Sequence, residues 1–476
     1  MDVTQSAQKY LHQAGQQLKL GAARLVDQHI NLAVTGLSQS GKTAFITSLI
    51  NQLLEVNQDA VLPFFSSKRE ERIIGVKRQS QSDVTAVRFA YEDAINGFQH
   101  NPAQWPPSTT GISQVRLVIR YKKKHGLSRW LAEDGQLTVD ITDFPGEWLL
   151  DLPLLNMPYQ RWCEFSDEQL LSATRAELYA PVAKQIEQLD LKAPADERLL
   201  QQIADSYASY LQQCRLAGYQ LLVPGRFLLP GELAGAPVLH FFPLTQAQCA
   251  RQQLDLANLP KGSNAELLAT RFEQYKQQVV QPFYQQHFKR FDRQIILVDC
   301  LAALNQGWDR FQELQLAMNW LMQSFAYGSS NILHRLFKPK IDKILFAASK
   351  ADHISADQQL NLVRLLDSML RQARQQLQFD GVTSESTAIA AIRASTSGVS
   401  YVNGEAVQVV QGTTEDGERL TLFPGEVPGS CPRPELWQQH QFEFPRFAPP
   451  SLTDKHALPH IRMDLVIDFM LADKLR

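Results

Sequence analysis

The chain has 476 residues, 44% of them hydrophobic and 20% charged, the make-up of an ordinary globular protein of roughly two to four structural units. Its formal net charge of −2 supplies no field to gather nucleic acid or a lipid surface, and no run of about 18 apolar residues marks a transmembrane helix. Cys163, Cys214, Cys249, Cys300 and Cys431 are scattered and form no C-x-x-C pair, which argues against a zinc site or a disulfide framework and fits a reducing cytosol.

Met1 to Gln28 is polar and glutamine-rich and lacks the apolar core of a signal peptide. Leu11, Leu18, Leu25 and Val26, at helical spacing, predict an amphipathic helix packed on its own domain. Leu32, Ala33 and Val34 then predict a buried strand, which runs into Gly36-Leu37-Ser38-Gln39-Ser40-Gly41-Lys42-Thr43. That stretch fits G-x-x-x-x-G-K-[ST] at every fixed position, and Phe45, Ile46, Leu49 and Ile50 continue it as a helix. Strand, glycine loop and helix together make a phosphate cradle of inward-pointing backbone N–H groups, reinforced by the helix N-terminus. Gly36 and Gly41 allow a close approach that a β-carbon would hinder. Gly36, Ser38, Gln39, Ser40, Gly41, Lys42, Thr43 and Ala44 are the candidate nucleotide-binding residues here. Lys42 would reach the outer phosphates as a catalytic cation, and the Thr43 hydroxyl would ligate Mg²⁺.

Asn51 to Ser80 predicts loop and short helix, with the charged run Lys68-Arg69-Glu70-Glu71-Arg72 as a solvated face. Val84, Val87 and Phe89 predict a strand, followed by a short helix to Phe98. A proline-punctuated loop from Asn101 to Gly111 precedes an alternating strand, Val115 to Tyr121. Trp105 is expected to anchor that loop to the core. Leu137 to Thr142 is the next strand, and it ends in Asp143-Phe144-Pro145-Gly146-Glu147-Trp148. This is D-x-x-G on a strand end: Asp143 would hold Mg²⁺ through water, and the N–H of Gly146 would sense a γ-phosphate.

From Leu150 to about Arg290 the pattern turns helical. Ser166-x-x-Gln169 predicts one helix start, Asp196 a second, and a third helix runs from about Asn264 to His287. The strand pattern resumes at Asp292 to Cys300 and at Ile341 to Ala348, both nearly continuous apolar runs as expected for strands buried on two faces. The latter ends in Ser349-Lys350-Ala351-Asp352-His353. One carboxylate can accept both the N1–H and N2–H₂ donors of guanine, a pair adenine does not offer, so Asp352 is the candidate base reader, with Lys350 over the ring and His353 beside it. Ala388 to Arg393 predicts a last strand ending in Ala394-Ser395-Thr396, where Ser395 marks a loop that would meet the guanine O6. Asn403-Gly404 and Asp416-Gly417 are hairpin turns of a small β module over about Tyr401 to Val427, and Ile461 to Leu475 is helical.

The order GLSQSGKT, DFPGEW, SKADH, AST resembles that of TRAFAC-type GTPases, and these motifs with the long helical insertion are similar to the YcjX family of proteobacterial stress-associated proteins. The resemblance implies an α/β fold: a P-loop NTPase (GTPase) sheet with helices on both faces, a large helical insertion and a small β-hairpin module. The expected division is 1–149, 150–290, 291–397, 398–440 and 441–476. It further implies GTP/GDP and Mg²⁺ as ligands, and a hydroxyl from Thr109 or Thr110 that closes over the metal. It implies a protein partner, with a membrane protein considered, and a cytoplasmic place, with peripheral attachment at the inner membrane as the variant. Small GTPases carry a water-orienting glutamine directly after the D-x-x-G glycine; here Glu147 stands there, which predicts slow hydrolysis or a partner's help. The rival expectations are an ATP-using enzyme and a scaffold that holds guanine nucleotide without turnover.

Overall fold

The computed structural model describes residues 28–37, 39–58, 61–81, 86–124, 133–323, 341–402, 404–439, 442–452 and 457–475. The predicted N-terminal helix and Ser38 of the phosphate loop lie outside these residues.

The strands are β1 (Gln28–Gly36), β2 (Ile73–Gln79), β3 (Val87–Arg88), β4 (Ser113–Lys122), β5 (Asp134–Asp143), β6 (Arg293–Val298), β7 (Lys343–Ala348) and β8 (Thr383–Ala388). They form one sheet in the order β2–β4–β5–β1–β6–β7–β8, with β3 paired to β4. β5, β1, β6, β7 and β8 are mutually parallel, whereas β4 runs antiparallel to β5 and β2 antiparallel to β4. The register sets Val34 beside Asp143, Gly36 beside Leu297 and Val298 beside Ala348. Those parallel strands therefore finish along one rim, and the turns that leave it are neighbours.

Alternation along the central strands sends side chains to two cores. Leu32, Val34, Ile295 and Leu297 face α1 (Lys42–Leu54), whose Phe45, Ile46, Leu49, Ile50 and Leu53 are each at most 2% exposed. Burial of each such side chain is worth about 1.5–3 kcal/mol. Ala33, Ile296 and Val298 face the opposite core, which is continuous with the aromatic interior of the inserted helices. The insertion between β5 and β6 carries α2 (Tyr159–Gln169), α3 (Ala173–Gln188), α4 (Glu197–Leu216) and α5 (Asn264–Tyr275). Further along come α6 (Trp308–Gln323), α7 (Gln359–Met369) and the C-terminal α8 (Met463–Leu471), which joins α1 on its face of the sheet. Arg293 is fully buried at the start of β6, and its guanidinium donates to Asp473 just past α8, at 2.6 and 2.7 Å.

Several expectations need correction. β2 lies where loop and short helix were expected. The charged run before it is partly turned inward: Arg72 is buried and paired with Glu70 at 2.6 Å, and the Lys68 ammonium donates to the Gln58 and Val61 carbonyls. The last core strand is Thr383–Ala388, not Ala388 to Arg393. Among the described residues it pairs only with β7, so the two-sided apolar pattern is absent from it. Ser166 lies inside α2, and α3 starts after Ser172. Asp196 does cap α4, accepting from Leu199 N at 3.0 Å. The β module begins earlier than expected, as β9 (Ser395–Val402), β10 (Glu405–Thr413) and β11 (Arg419–Leu422), with Gly404 and Gly417 at φ +85° and +88° in its turns. All five cysteines are free thiols. Among the described residues, no helix is long and apolar enough to cross a membrane.

Candidate functional site

A cavity of about 380 Å³ opens on the rim where β1, β6 and β7 end. Its floor is made by Gly36, Leu37, Gln39, Ser40 and Gly41 with the first turn of α1. Gly41 caps that helix with φ +82°, a left-handed conformation that suits a residue without a β-carbon. A β-carbon on Gly36 would fall 2.1 Å from Ser40 Oγ, so glycine is what lets that hydroxyl tuck in. Ser40 Oγ is buried and has no hydrogen-bond partner among the described residues. Gln39, Ser40, Gly41, Lys42, Thr43 and Ala44 all line the cavity.

Beside the loop, β5 delivers a carboxylate. Lys42 Nζ lies 2.9 Å from Asp143 Oδ1 and donates to the Phe144 carbonyl. On its other oxygen, Asp143 Oδ2 accepts from Thr109 Oγ1 at 2.7 Å, and Thr109 Oγ1 lies 3.3 Å from Thr43 Oγ1. Thr43, Thr109 and Asp143 thus form a chain of hard oxygen atoms, the donor type that suits Mg²⁺. Of the two threonines, Thr109 is the one brought to this cluster; Thr110 is exposed and lines an outer groove. Asp143 lines the outer groove together with Thr43 and Thr109. No cluster of three His, Cys, Asp or Glu occurs among the described residues, so a metal here would take threonine hydroxyls and ligand oxygens besides Asp143.

Gly146 and Glu147 form the wall next to the phosphate loop. Glu147 is buried, and its Oε1 lies 3.4 Å from Arg215 Nη2 at the end of α4. Arg215 lines the cavity too, so an inserted helix contributes to the wall.

At the far end, β7 turns into Ser349-Lys350-Ala351-Asp352. Lys350 has φ +61° and pairs with Asp299 at 2.5 Å, on the neighbouring strand end. Asp352 Oδ2 accepts from Ala394 N at 2.8 Å. Ser395, predicted to lie in a base-contacting loop, opens β9 instead; its hydroxyl donates to the Asp352 carbonyl, and Ala394 lines the cavity in its place. Burial pushes the His353 imidazole below its usual pKa, and its ring meets Phe447 edge-on at 5.2 Å.

The outer wall comes from residues that no motif announced. Phe447 accepts from Trp105 Nε1 at 2.9 Å through its carbonyl, and Arg446 donates to Gln39 Oε1 at 2.8 Å. Trp105 therefore fastens the proline loop to this C-terminal strap, while its ring meets Phe98 edge-on at 6.1 Å. Glu415, in the β10–β11 turn, also reaches the cavity. Arg215 lies on a predicted helix and Glu415 beside a predicted hairpin turn, but no local pattern marks these two, Arg446 or Phe447 for a site, so only chain folding collects them.

A mostly parallel sheet with this glycine loop after β1 and helices on both faces is the fold of a P-loop NTPase. A family model described as the YcjX-like family, DUF463, matches residues 30–475, and the chain belongs to that family. It is 44% identical over 454 residues to "Ras-like GTPase YcjX" of Escherichia coli strain K12, covering 95% of this chain and 97% of the relative. To the protein of the same description in Shewanella oneidensis strain MR-1 it is 43% identical over 488 residues, covering 99% and 98%.

Proposed function

We propose that this protein is a GTPase, with GTP bound between the phosphate loop and Asp352. The observation that carries the reading is that Lys42 and Asp352 line one cavity of about 380 Å³, within the range of small-ligand sites. The names of the relatives agree with it. Backbone N–H groups from Gly36 to Thr43 and the Lys42 ammonium would hold the phosphates. Thr43, Thr109 and Asp143 would hold Mg²⁺, directly or through water. Bound there, Mg²⁺ neutralises charge on the outer phosphates. Asp352 would accept from the guanine edge; a site built around such polar bonds rejects a ligand that lacks them by ~10⁴ or more.

A γ-phosphate would draw in the loop before β4 through Thr109 and the segment at Gly146. That segment leads straight into the insertion, so nucleotide state would reposition the inserted helices for a partner. Hydrolysis is slow or partner-stimulated in this reading, because Glu147 replaces a neutral water-orienting group. A stress-response role, a partner protein at the inner membrane and a cytoplasmic place rest on family likeness alone.

Nucleotide competition tests the reading. GDP and GTP should displace a fluorescent guanine nucleotide at concentrations where ATP does not; displacement by ATP at equal concentration would favour an ATP-using enzyme. Identical protease protection with GDP and a non-hydrolysable GTP analogue would leave a static scaffold.

A further inference from the structure

The Glu147–Arg215 pair joins the segment after Gly146 to the inserted helices. The Glu147 side chain is 8% exposed, and a carboxylate buried that far is costly without a cation beside it. Arg215 supplies that cation from the last turn of α4, while Tyr207, Tyr210, Leu211 and Cys214 anchor the helix in the core. The Arg215 side chain keeps 25% of its surface exposed and lines the same cavity as Gly36 and Lys42.

The other cations among the described lining residues are engaged elsewhere. Lys42 sits in the loop itself, Lys350 is tied to Asp299 at the base end, and Arg446 bonds Gln39 on the outer strap. Arg215 is the cation that the insertion brings to the cavity wall, beside Glu147. A triphosphate arriving there brings several oxygens whose geometry matches a guanidinium fork, and the 3.4 Å contact with Glu147 is longer than a charge-assisted hydrogen bond.

We propose that Arg215 is a catalytic residue supplied from within the chain by the helical insertion. This rests on the GTPase reading and deepens it. With GTP bound, the guanidinium turns from Glu147 to the γ-phosphate oxygens. Glu147, released, accepts a hydrogen bond from the attacking water. The water oxygen bonds to the γ-phosphorus, and the bond from that phosphorus to the β–γ bridging oxygen breaks. GDP leaves with the bond's electron pair, and the water's proton passes by way of Glu147 to the inorganic phosphate. Arg215 offsets the negative charge that gathers on the transferring group, a role worth ~10³–10⁵ in rate where an arginine performs it. Because Arg215 also neutralises Glu147 before GTP arrives, the segment after Gly146 and the insertion stay latched in the nucleotide-free protein.

The test uses the full chain and its Arg215→Ala and Arg215→Lys variants, read by single-turnover GTP hydrolysis and by affinity for GDP and for GDP with aluminium fluoride. Arg215→Ala should hydrolyse GTP at least about 100-fold more slowly and lose aluminium-fluoride binding by a similar factor. Its GDP affinity should stay within about threefold of wild type, which shows that it is folded; Arg215→Lys, retaining charge but not the fork, should fall between. If wild type hydrolyses GTP and Arg215→Ala matches it in rate and aluminium-fluoride affinity, the proposal is overturned and the GTPase reading survives. If wild type binds GDP but neither hydrolyses GTP nor takes up aluminium fluoride, the reading and this inference fall together.

Discussion

Gly146 touches Gly36 backbone to backbone: a β-carbon on Gly146 would fall 1.9 Å from the Gly36 carbonyl oxygen. Backbone cannot yield there as the end of a side chain can. Gly146→Ala should therefore push the segment after β5 off the phosphate loop, lowering the melting temperature by several degrees and weakening guanine-nucleotide binding about tenfold or more. Gly111→Ala, in the loop before β4 with open space around it, should leave both near wild type. Thermal melts and nucleotide titrations of the two variants check this; equal behaviour would argue that the contact at Gly146 is slack.

Thr109 bridges Thr43 and Asp143, whereas its neighbour is exposed. Thr109→Ala should weaken the Mg²⁺ dependence of GTP-analogue binding about tenfold or more, with Thr109→Ser restoring most of it. Thr110→Ala should change little. Magnesium titrations at fixed nucleotide separate the two; a larger loss at Thr110 would reverse the assignment.

Asp352 presents a carboxylate held in place by Ala394 N. Asp352→Asn exchanges an acceptor for a donor on one side, so preference for guanine should fall at least about 100-fold, and xanthine, with a carbonyl at C2, should gain. Competition with GDP and XDP reads the outcome. Retained guanine preference would place base recognition elsewhere.

Asp151 follows the D-x-x-G segment and is buried; Tyr275 donates to its Oδ2 at 2.6 Å and Gly225 N to its Oδ1 at 2.7 Å. Burial is the largest influence and raises its pKa from 3.8 to about 6, against the lowering effect of those donors. A carboxyl raised on folding contributes stability that is whole below the unfolded value near 3.8 and is lost as pH climbs through about 6. The loss is about 3 kcal/mol at roughly 1.4 kcal/mol per pH unit. Asp151→Asn keeps an oxygen for Gly225 N without the titration. Its melting temperature should match wild type near pH 4, exceed it increasingly as pH rises to about 6 and level off beyond; a gap that stays constant from pH 4 upwards would count against the raised pKa.

The motifs that could be read along the chain are those in which one strand end supplies several consecutive residues. Gly36 to Thr43 carries a cradle whole, because a loop closing on itself needs only local geometry. Asp143 to Gly146 and Ser349 to Asp352 likewise each follow a buried strand. Where a strand has one neighbour among the described residues, as β8 does, its alternation fades and the boundary shifts by several residues. Where a charged stretch folds back in part, as Lys68 and Arg72 do, charge alone misjudges exposure, because carbonyls and Glu70 take up much of their hydrogen bonding.

The amino-acid order by itself determined the phosphate loop, the D-x-x-G and SKAD turns, the long helical interruption and the hairpin module, since each is written in neighbouring residues. Only the tertiary structure decided that Thr109 rather than Thr110 meets Asp143, that Ala394 rather than Ser395 lines the cavity, and that Arg215 and Phe447 wall it. Those outcomes depend on how strands register and helices pack, where residues far apart in the chain come within hydrogen-bond reach; no local pattern encodes such distances.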